Sequence, residues 1–216
     1  MIVAVKPVNL PVQADESGDD DMLTMLKRYI GEKYHKPGNV YLGLVHRLDR
    51  PVGGVMVFAR TSKAAARLSE SFSTHTTGKI YLAVAEGTIE KPEIYTDYLV
   101  KDEKTRMVRR VSESTPGAKF AKLETEPLAY GNGLTLTRVT LHTGRSHQIR
   151  VQHAGRGHAL WGDNRYGSGR PGQQIALWAA RLTFEHPVTH EELTFTALPE
   201  GGIWTEFDLK TKGVDL

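Results

Sequence analysis

Residues 40–60 read VYLGLVHRLDRPVGGVMVFAR, an order that predicts two strands with a polar loop between them. The segments YLGLV and VMVFAR are largely apolar, as strands are, whereas one proline and two glycines interrupt the pattern between them. Asp49 therefore lies on a glycine-rich loop held by two strands, a place that suits chemistry on an approaching substrate. From position alone, a turn residue or an internal partner for Arg47 remains the favoured interpretation of Asp49.

Helical and extended patterns alternate along the rest of the chain. Apolar spacing predicts a helix over residues 21–34, with aspartate at its positive end, and another over 61–74 that Thr61 caps. Glycine and proline are spread along the chain, which favours short strands, many turns and an α+β fold. Alternating patterns predict strands within residues 1–12 and over 79–85, 93–111, 119–128, 133–141, 175–184 and 193–197.

A basic segment among these predicted strands would suit a hairpin that contacts phosphate. It contains Lys101, Lys104, Arg106, Arg109 and Arg110.

Composition limits the class of protein but does not identify a function. With 216 residues, 39% of them hydrophobic, the chain is long enough for one domain over residues 1–216 with a sizeable core. The sequence contains no cysteine, which excludes disulfides, thiolate nucleophiles and zinc sites built on sulfur. The start lacks a secretory pattern and no later apolar run would span a bilayer, so we expect a cytoplasmic protein. A net charge of +3 suits a polyanionic partner but does not identify one.

A second polar cluster, GRSHQIR, occupies residues 144–150. We expect a helix to begin near Ser146, so that two guanidiniums, an imidazole and an amide fall within its first turns. This density of donors at the start of a helix favours anions. A fully solvated surface helix is the alternative, but Ile149 and Val151 indicate that part of the helix is buried, so some polar groups face a cleft.

Three ordered signatures give the chain a close resemblance to the Rlu-type pseudouridine synthases, which act on ribosomal and some transfer RNA. The first is HRLD followed by glycine, at residues 46–54. The second is the strand pattern K-x-Y-x-A-x-V-x-G, at residues 79–87, and the third is TGRSHQIR, at residues 143–150. Chance matches to one tetrapeptide are common, but three in order at compatible spacing are not. Further matches are Gly157-His158, Gly162-Asp163, Tyr166-Gly167, Ala176–Ala179, Phe184–Pro187 and Leu198-Pro199.

The resemblance implies a fold, an activity and a set of site residues. The fold is a mixed, mainly antiparallel, bent sheet flanked by helices, with a central cleft that binds RNA. Asp49 would be the catalytic carboxylate, Tyr81 would stack on the target base, and Arg150 would pair with Asp49 and hold it ionised. The reaction needs no cofactor or metal, and a single carboxylate suffices, in keeping with no evident second carboxylate nearby. Further RNA contacts are expected from His46, Arg47, Arg145, His147 and Gln148.

The family pattern also sets limits. Val52 and Gly53 stand where members often carry hydroxyl residues, and Gln152 and Trp178 stand where histidine is common, which bears on substrate choice. We expect no small amino-terminal RNA-binding domain, so that the catalytic domain itself grips a ribosomal or transfer RNA. We expect a monomer with no obligate protein partner.

Three other interpretations stay open at this point. Histidines at 142, 147, 153 and 158 invite a metal site, although their spacing matches no compact ligand set. The chain could be an RNA-binding module without activity, or a hydrolase of glycosidic bonds that uses one carboxylate. Whether Asp49 would attack the sugar or remove a ribose proton is also open.

Overall fold

The computed structural model describes residues 1–209, in which all ten strands belong to one sheet. Three helices pack around it: α1 (Met22–Lys33), α2 (Ser62–Ser73) and α3 (Gln148–Ala154). A 3-10 helix follows at Gly202–Phe207. The strands are β1 (Ile2–Lys6), β2 (Gly43–Leu44), β3 (Gly53–Ala59), β4 (Gly78–Glu86), β5 (Glu93–Lys101), β6 (Val108–Val111), β7 (Lys119–Gly131), β8 (Leu134–Leu141), β9 (Leu177–Glu185) and β10 (Glu192–Thr196).

The sheet is mixed and mainly antiparallel. Its main path runs β1-β3-β9-β4-β8-β7-β5-β6, while β2 pairs with β3 and β10 pairs with β9. The pairing of β3 with β9 is parallel, and every other pairing between the named strands is antiparallel. The predicted α+β class is confirmed, with helices packed around one large sheet.

Helices α1 and α2 begin where the sequence predicts, whereas α3 does not. The side chain of Asp21 accepts a hydrogen bond from the backbone N–H of Thr24 at the start of α1, and Thr61 caps α2 through Ala64 in the same way. Helix α3 begins at Gln148, two residues later than expected, because His147 adopts a left-handed conformation with φ of 49°. That conformation turns the chain just before the helix, so His147 projects from a bend.

Strand β2 is shorter than the predicted strand from Val40, since only Gly43 and Leu44 pair with β3. The basic segment lies on a β5–β6 hairpin, as expected. None of the helices within residues 1–209 is both long and apolar enough to cross a membrane.

Buried contacts with the hydrophobic core and with Lys6 hold the loop over residues 45–52 in place. Leu48 and Val52 are part of the main hydrophobic core. The ammonium of Lys6, which is fully buried, donates hydrogen bonds to the carbonyls of Pro7, Leu10 and Arg50, and so ties β1 to this loop. These contacts set the position of Asp49, which lies between Leu48 and Arg50.

Gly54 allows the parallel pairing next to the loop. Its φ is +127°, and a Cβ there would lie 2.2 Å from the carbonyl oxygen of Ala179 on β9. Only glycine tolerates both the dihedral and the close approach of the two backbones. The HRLD loop therefore ends at a point where β3 and β9 are in direct contact.

Candidate active site

Two adjoining cavities open between the loop over residues 45–52, strand β4 and the start of α3. Their volumes are about 90 Å³ and about 820 Å³. Both are lined by Asp49 and Tyr81, together with Arg47 and Arg145. Arg150, His147 and Gln148 line the smaller cavity, and His46 lines the larger one. The cleft thus brings together every residue that was predicted from the sequence to belong to the site.

The carboxylate of Asp49 is held by one of its two oxygens. Arg150 Nη1 lies 3.4 Å from Asp49 Oδ2, and His147 Nε2 lies 3.9 Å from the same atom. No donor among residues 1–209 hydrogen-bonds to Oδ1, and the side chain is 29% exposed. Asp49 therefore presents one oriented and one available oxygen to the cleft.

Arg150 has a second and closer partner, Asp163. Two hydrogen bonds of 2.8 and 2.7 Å run from Arg150 Nε and Nη2 to the two oxygens of Asp163, whose side chain is fully buried. Oδ1 of Asp163 also accepts the backbone N–H groups of Arg165 and Tyr166. This bidentate geometry fixes the plane of the guanidinium and leaves only Nη1 for Asp49.

Two expectations change as a result. Arg150 does approach Asp49, as the resemblance implied, but its principal ion pair is with Asp163. The expectation that no second carboxylate lies nearby is wrong, because Asp163 sits on the far side of Arg150. Burial alone would raise the pKa of Asp163, but the hydrogen bonds and charge of Arg150 outweigh burial and lower it. Asp163 is therefore an ionised partner of Arg150.

Tyr81 enters the cleft from β4. Its strand is paired on both sides, with β8 and with β9, and a register shift between Ile80 and Tyr81 marks a bulge at this point. Burial raises the pKa of the Tyr81 phenol, and the charge of Asp49 raises it further. The ring is thus a neutral aromatic face beside Asp49, with the small Ala83 and Ala85 following it on the same side of the strand.

Two cations of the cleft have no partner in the described part of the chain. Arg47 is exposed and lines both cavities. Lys79 is buried in the wall of the larger cavity, where burial lowers its pKa. We refer to Arg47 and Lys79 as the free cations, since neither forms a hydrogen bond or ion pair with residues 1–209. Unpaired positive charge in a cleft attracts a polyanion.

Other nominated residues already have protein contacts. Nε2 of His46 accepts the backbone N–H of Val57, its ring stacks on Phe72 at 4.4 Å, and burial with the charge of Lys79 lowers its pKa to about 3. Arg145 Nε donates to the carbonyl of Phe120. His46 is therefore a neutral ring built into the loop, and its role in RNA binding stays a prediction.

Gln148 combines an anchored oxygen with a free amide. Its Oε1 accepts the hydroxyl of Thr143 and the backbone N–H of Arg145, whereas its buried Nε2 has no acceptor within residues 1–209. Because the backbone N–H of Arg145 is a donor only, the orientation of the amide is determined by this contact.

Asp163, Tyr166 and Lys79 are site residues to which sequence reasoning assigned no role. All three fall inside the family motifs, so a signal existed, but the spacing gave no reason to place Asp163 and Tyr166 beside Arg150 and His147, or Lys79 in the wall of the cleft. The hydroxyl of Tyr166 lies 2.7 Å from Nδ1 of His147, and Arg150 lies 5.3 Å above the Tyr166 ring. We call His147, Arg150, Asp163 and Tyr166 the α3 cluster.

The four histidines that invited a metal site each have a different neighbour. His142 contacts Glu124, His147 contacts Tyr166, and His153 contacts Thr125. His158 Nδ1 lies 3.1 Å from the carbonyl of Glu86. Within residues 1–209 no three or more His, Asp or Glu side chains converge as metal ligands would.

This arrangement suits one kind of chemistry. A carboxylate with one available oxygen lies beside an aromatic face, in a cleft that also contains free cations. The carboxylate can act at a sugar carbon or proton, the ring can stack on a base removed from its neighbours, and the cations can contact phosphates. The geometry favours a nucleotide of a larger polyanion.

Comparison with known proteins gives consistent matches. Residues 1–154 match the sequence family described as RNA pseudouridylate synthase. A tRNA pseudouridine synthase C from Vibrio parahaemolyticus is 34% identical over 173 residues, a match that covers 71% of this chain and 70% of that protein. An uncharacterized RNA pseudouridine synthase, YhcT, from Bacillus subtilis is 33% identical over 196 residues, covering 88% of this chain and 63% of its relative.

A solved structure has the same fold. Human RNA pseudouridylate synthase domain containing 4 aligns with a TM-score of 0.73 at 22% identity, covering 91% of this chain and 84% of that one. The alignment confirms the predicted architecture of mixed sheet and flanking helices.

Proposed function

Because the chain belongs to the RNA pseudouridylate synthase family, we propose that it converts uridine in structured RNA to pseudouridine, with Asp49 as the essential carboxylate. One observation supports this above others: Asp49 is held through Oδ2 alone and shares its cavity with Tyr81. The substrate is an RNA, and we propose a ribosomal or transfer RNA, as the names of the relatives suggest. We propose that the chain acts as a monomeric single domain.

The reaction is an isomerisation that is balanced without a co-reactant. The bond between uracil N1 and ribose C1′ breaks, the base turns, and C5 bonds to C1′; the proton on C5 leaves and N1 gains one. The departing uracil is a resonance-stabilised anion, so no strong general acid is required. Asp49 would either attack C1′ or remove a ribose proton, and it acts in the ionised form in both routes.

Arg150 supports this role because its guanidinium contacts only Oδ2 of Asp49 and leaves Oδ1 available to the substrate. Asp163 takes two of its nitrogens, and Nη1 alone reaches Asp49 Oδ2. A guanidinium fixed in this way stabilises the carboxylate with little further loss of side-chain conformational entropy. Lysine would offer neither the fork geometry nor the same orientation.

Tyr81 and the free cations would hold the RNA. Removal of a uridine from its stack costs a few kcal/mol, part of which stacking on an aromatic ring can offset. Arg47 is placed to contact phosphate or to fill the gap left by the flipped base, and Arg145, His147 and Gln148 line the same cleft. His46 would act through the shape of the loop.

The test is incubation of the protein with candidate RNA, followed by digestion and nucleoside analysis. We expect pseudouridine to replace uridine with no change in mass and no free uracil. Release of free uracil would identify a hydrolase, and unchanged uridine in RNA that the protein binds would identify a binding module. Either result would refute the proposal.

A further inference from the structure

The hydroxyl of Tyr166 has a defined direction of hydrogen bonding. It accepts the backbone N–H of Val108 on β6, at 2.8 Å, and lies 2.7 Å from Nδ1 of His147. A backbone N–H is a donor only, so the phenolic proton is left for His147. No other acceptor within residues 1–209 competes for this proton.

The opposite side of the imidazole gives the same assignment. Nε2 of His147 faces Asp49 Oδ2 at 3.9 Å, and that oxygen also receives Arg150 Nη1. If Nδ1 carried the proton, the lone pair of Nε2 would point at a carboxylate, which is unfavourable. With the proton on Nε2, both ring nitrogens meet complementary groups.

We propose that Tyr166 holds His147 as the neutral Nε2–H tautomer, which directs a hydrogen bond at Asp49 Oδ2 and, with Arg150, leaves Oδ1 to meet the ribose. The inference rests on the proposed function and deepens it. His147 then contacts the reacting carboxylate itself, whereas Tyr166 is a positioning residue that acts through His147. The 3.9 Å separation is longer than a hydrogen bond in the free protein, and we expect it to shorten when RNA binds.

Neutrality of His147 has a physical basis in its surroundings. The ring is largely enclosed, with Asp49, Asp163, Arg150 and Arg165 as its charged neighbours. Burial lowers the pKa of His147, the two carboxylates oppose this, and the two arginines reinforce it. A neutral donor orients the carboxylate without adding a second cation, which would make Oδ1 a weaker base and nucleophile.

The tautomer can be measured in the free protein, without any RNA. In protein labelled with ¹⁵N at histidine, two-bond ¹H–¹⁵N correlations distinguish the two tautomers, and His147→Asn assigns the His147 signals among the nine histidines. Asparagine tolerates the left-handed backbone at this position. We expect the Nε2–H form near neutral pH in the wild type and its loss in Tyr166→Phe. An Nδ1–H form or a charged ring in the wild type would overturn the proposal.

A double-mutant cycle tests whether Tyr166 acts through His147. Tyr166→Phe keeps the ring under Arg150 and removes only the hydroxyl, so we expect the single-turnover rate to fall roughly 10-fold with RNA affinity retained. In a His147→Asn background the same change should have no further effect. Tyr130→Phe, which removes a hydroxyl bonded to the Ile89 carbonyl on another part of the sheet, should stay within about 2-fold of wild type.

The outcomes separate the two proposals. A wild-type rate in Tyr166→Phe, or equal losses in both backgrounds, would refute the role of Tyr166. If the wild type formed no pseudouridine on any RNA, the proposed function would fail, while the tautomer measurement would still decide the hydrogen-bond assignment. If Tyr166→Phe failed to fold, His147→Gln would take its place, with a loss of at least the same size expected.

Discussion

The α3 cluster and the free cations face the same cleft but differ in how their charges are matched. In the α3 cluster Arg150 and Asp163 are buried and joined by two hydrogen bonds, and the hydroxyl of Tyr166 is hydrogen-bonded to the ring of His147. Arg47 and Lys79 have no partner among residues 1–209. Charges that are already paired within the protein gain little interaction energy from a ligand. They instead hold the reacting groups in a fixed geometry, which catalysis requires. Charges left unmatched are available to bind a polyanion. The comparison therefore predicts that the two groups control different steps.

The largest effect is expected at Asp49, the group that the α3 cluster orients. Asp49→Asn keeps size and removes the charge, so pseudouridine formation should fall by more than about 1000-fold while RNA affinity stays within about 3-fold. Product nucleosides and RNA binding would be measured on the same preparation. Comparable losses of binding and turnover would remove the distinction between the two groups.

Asp163→Asn is expected to have the next largest effect. The variant removes the negative charge that pairs with the buried Arg150, so the free energy of unfolding should fall by about 3 kcal/mol. It also lets the guanidinium rotate, so the single-turnover rate should fall about 10- to 100-fold. Kinetics with protein in excess and urea unfolding would measure the two effects.

Asp97→Asn is the matched control for Asp163→Asn. Asp97 also pairs with arginines, Arg110 and Arg156, but it lines neither cavity. This variant should lose stability and keep its rate at saturating protein. A normal rate in Asp163→Asn would show that Arg150 does not need its partner for catalysis.

Removal of a free cation should change binding more than chemistry. Arg47→Ala is expected to weaken RNA binding about 10-fold and to reduce the slope of log affinity against log salt by about one. The rate at saturating protein should change less than the affinity. Titrations at several salt concentrations would measure this, with Lys91→Ala on the β4–β5 loop as the control. An unchanged salt slope would contradict a phosphate contact.

The smallest effect concerns His153, a buried residue of α3 whose pKa burial lowers to about 4. Its folded pKa lies below the unfolded value of about 6.5, so its neutral form stabilises the fold above that value and stability falls as the pH drops. His153 should contribute about 1 kcal/mol of the stability lost between pH 7 and pH 5.5. His153→Gln should show a correspondingly flatter pH dependence of urea unfolding, whereas His35→Asn, at an exposed site, should match the wild type. Equal slopes in wild type and His153→Gln would contradict the neutral ring.

Local signals predicted the helices and most strands, because caps such as Thr61 and apolar periodicity act over a few residues. They also placed Asp49 on its loop. The partner of Arg150 was not predictable in the same way, because Asp163 is brought to it by the fold of residues beyond α3. The left-handed His147 and the parallel contact of Gly54 with β9 likewise depend on distant backbone. Sequence patterns thus identified the residues that line the cleft better than the partners that hold them in position.

Release of the C5 hydrogen tests the central claim most directly, since bonding at C5 must expel it. The substrate is RNA labelled with tritium at uridine C5, with each protein in excess over RNA. We expect the wild type to release one tritium for each pseudouridine formed and no free uracil. Arg47→Ala should approach the same rate at saturation, and Asp49→Asn should release none while still binding RNA. Tritium release by Asp49→Asn at a rate near that of the wild type would contradict the essential role of Asp49.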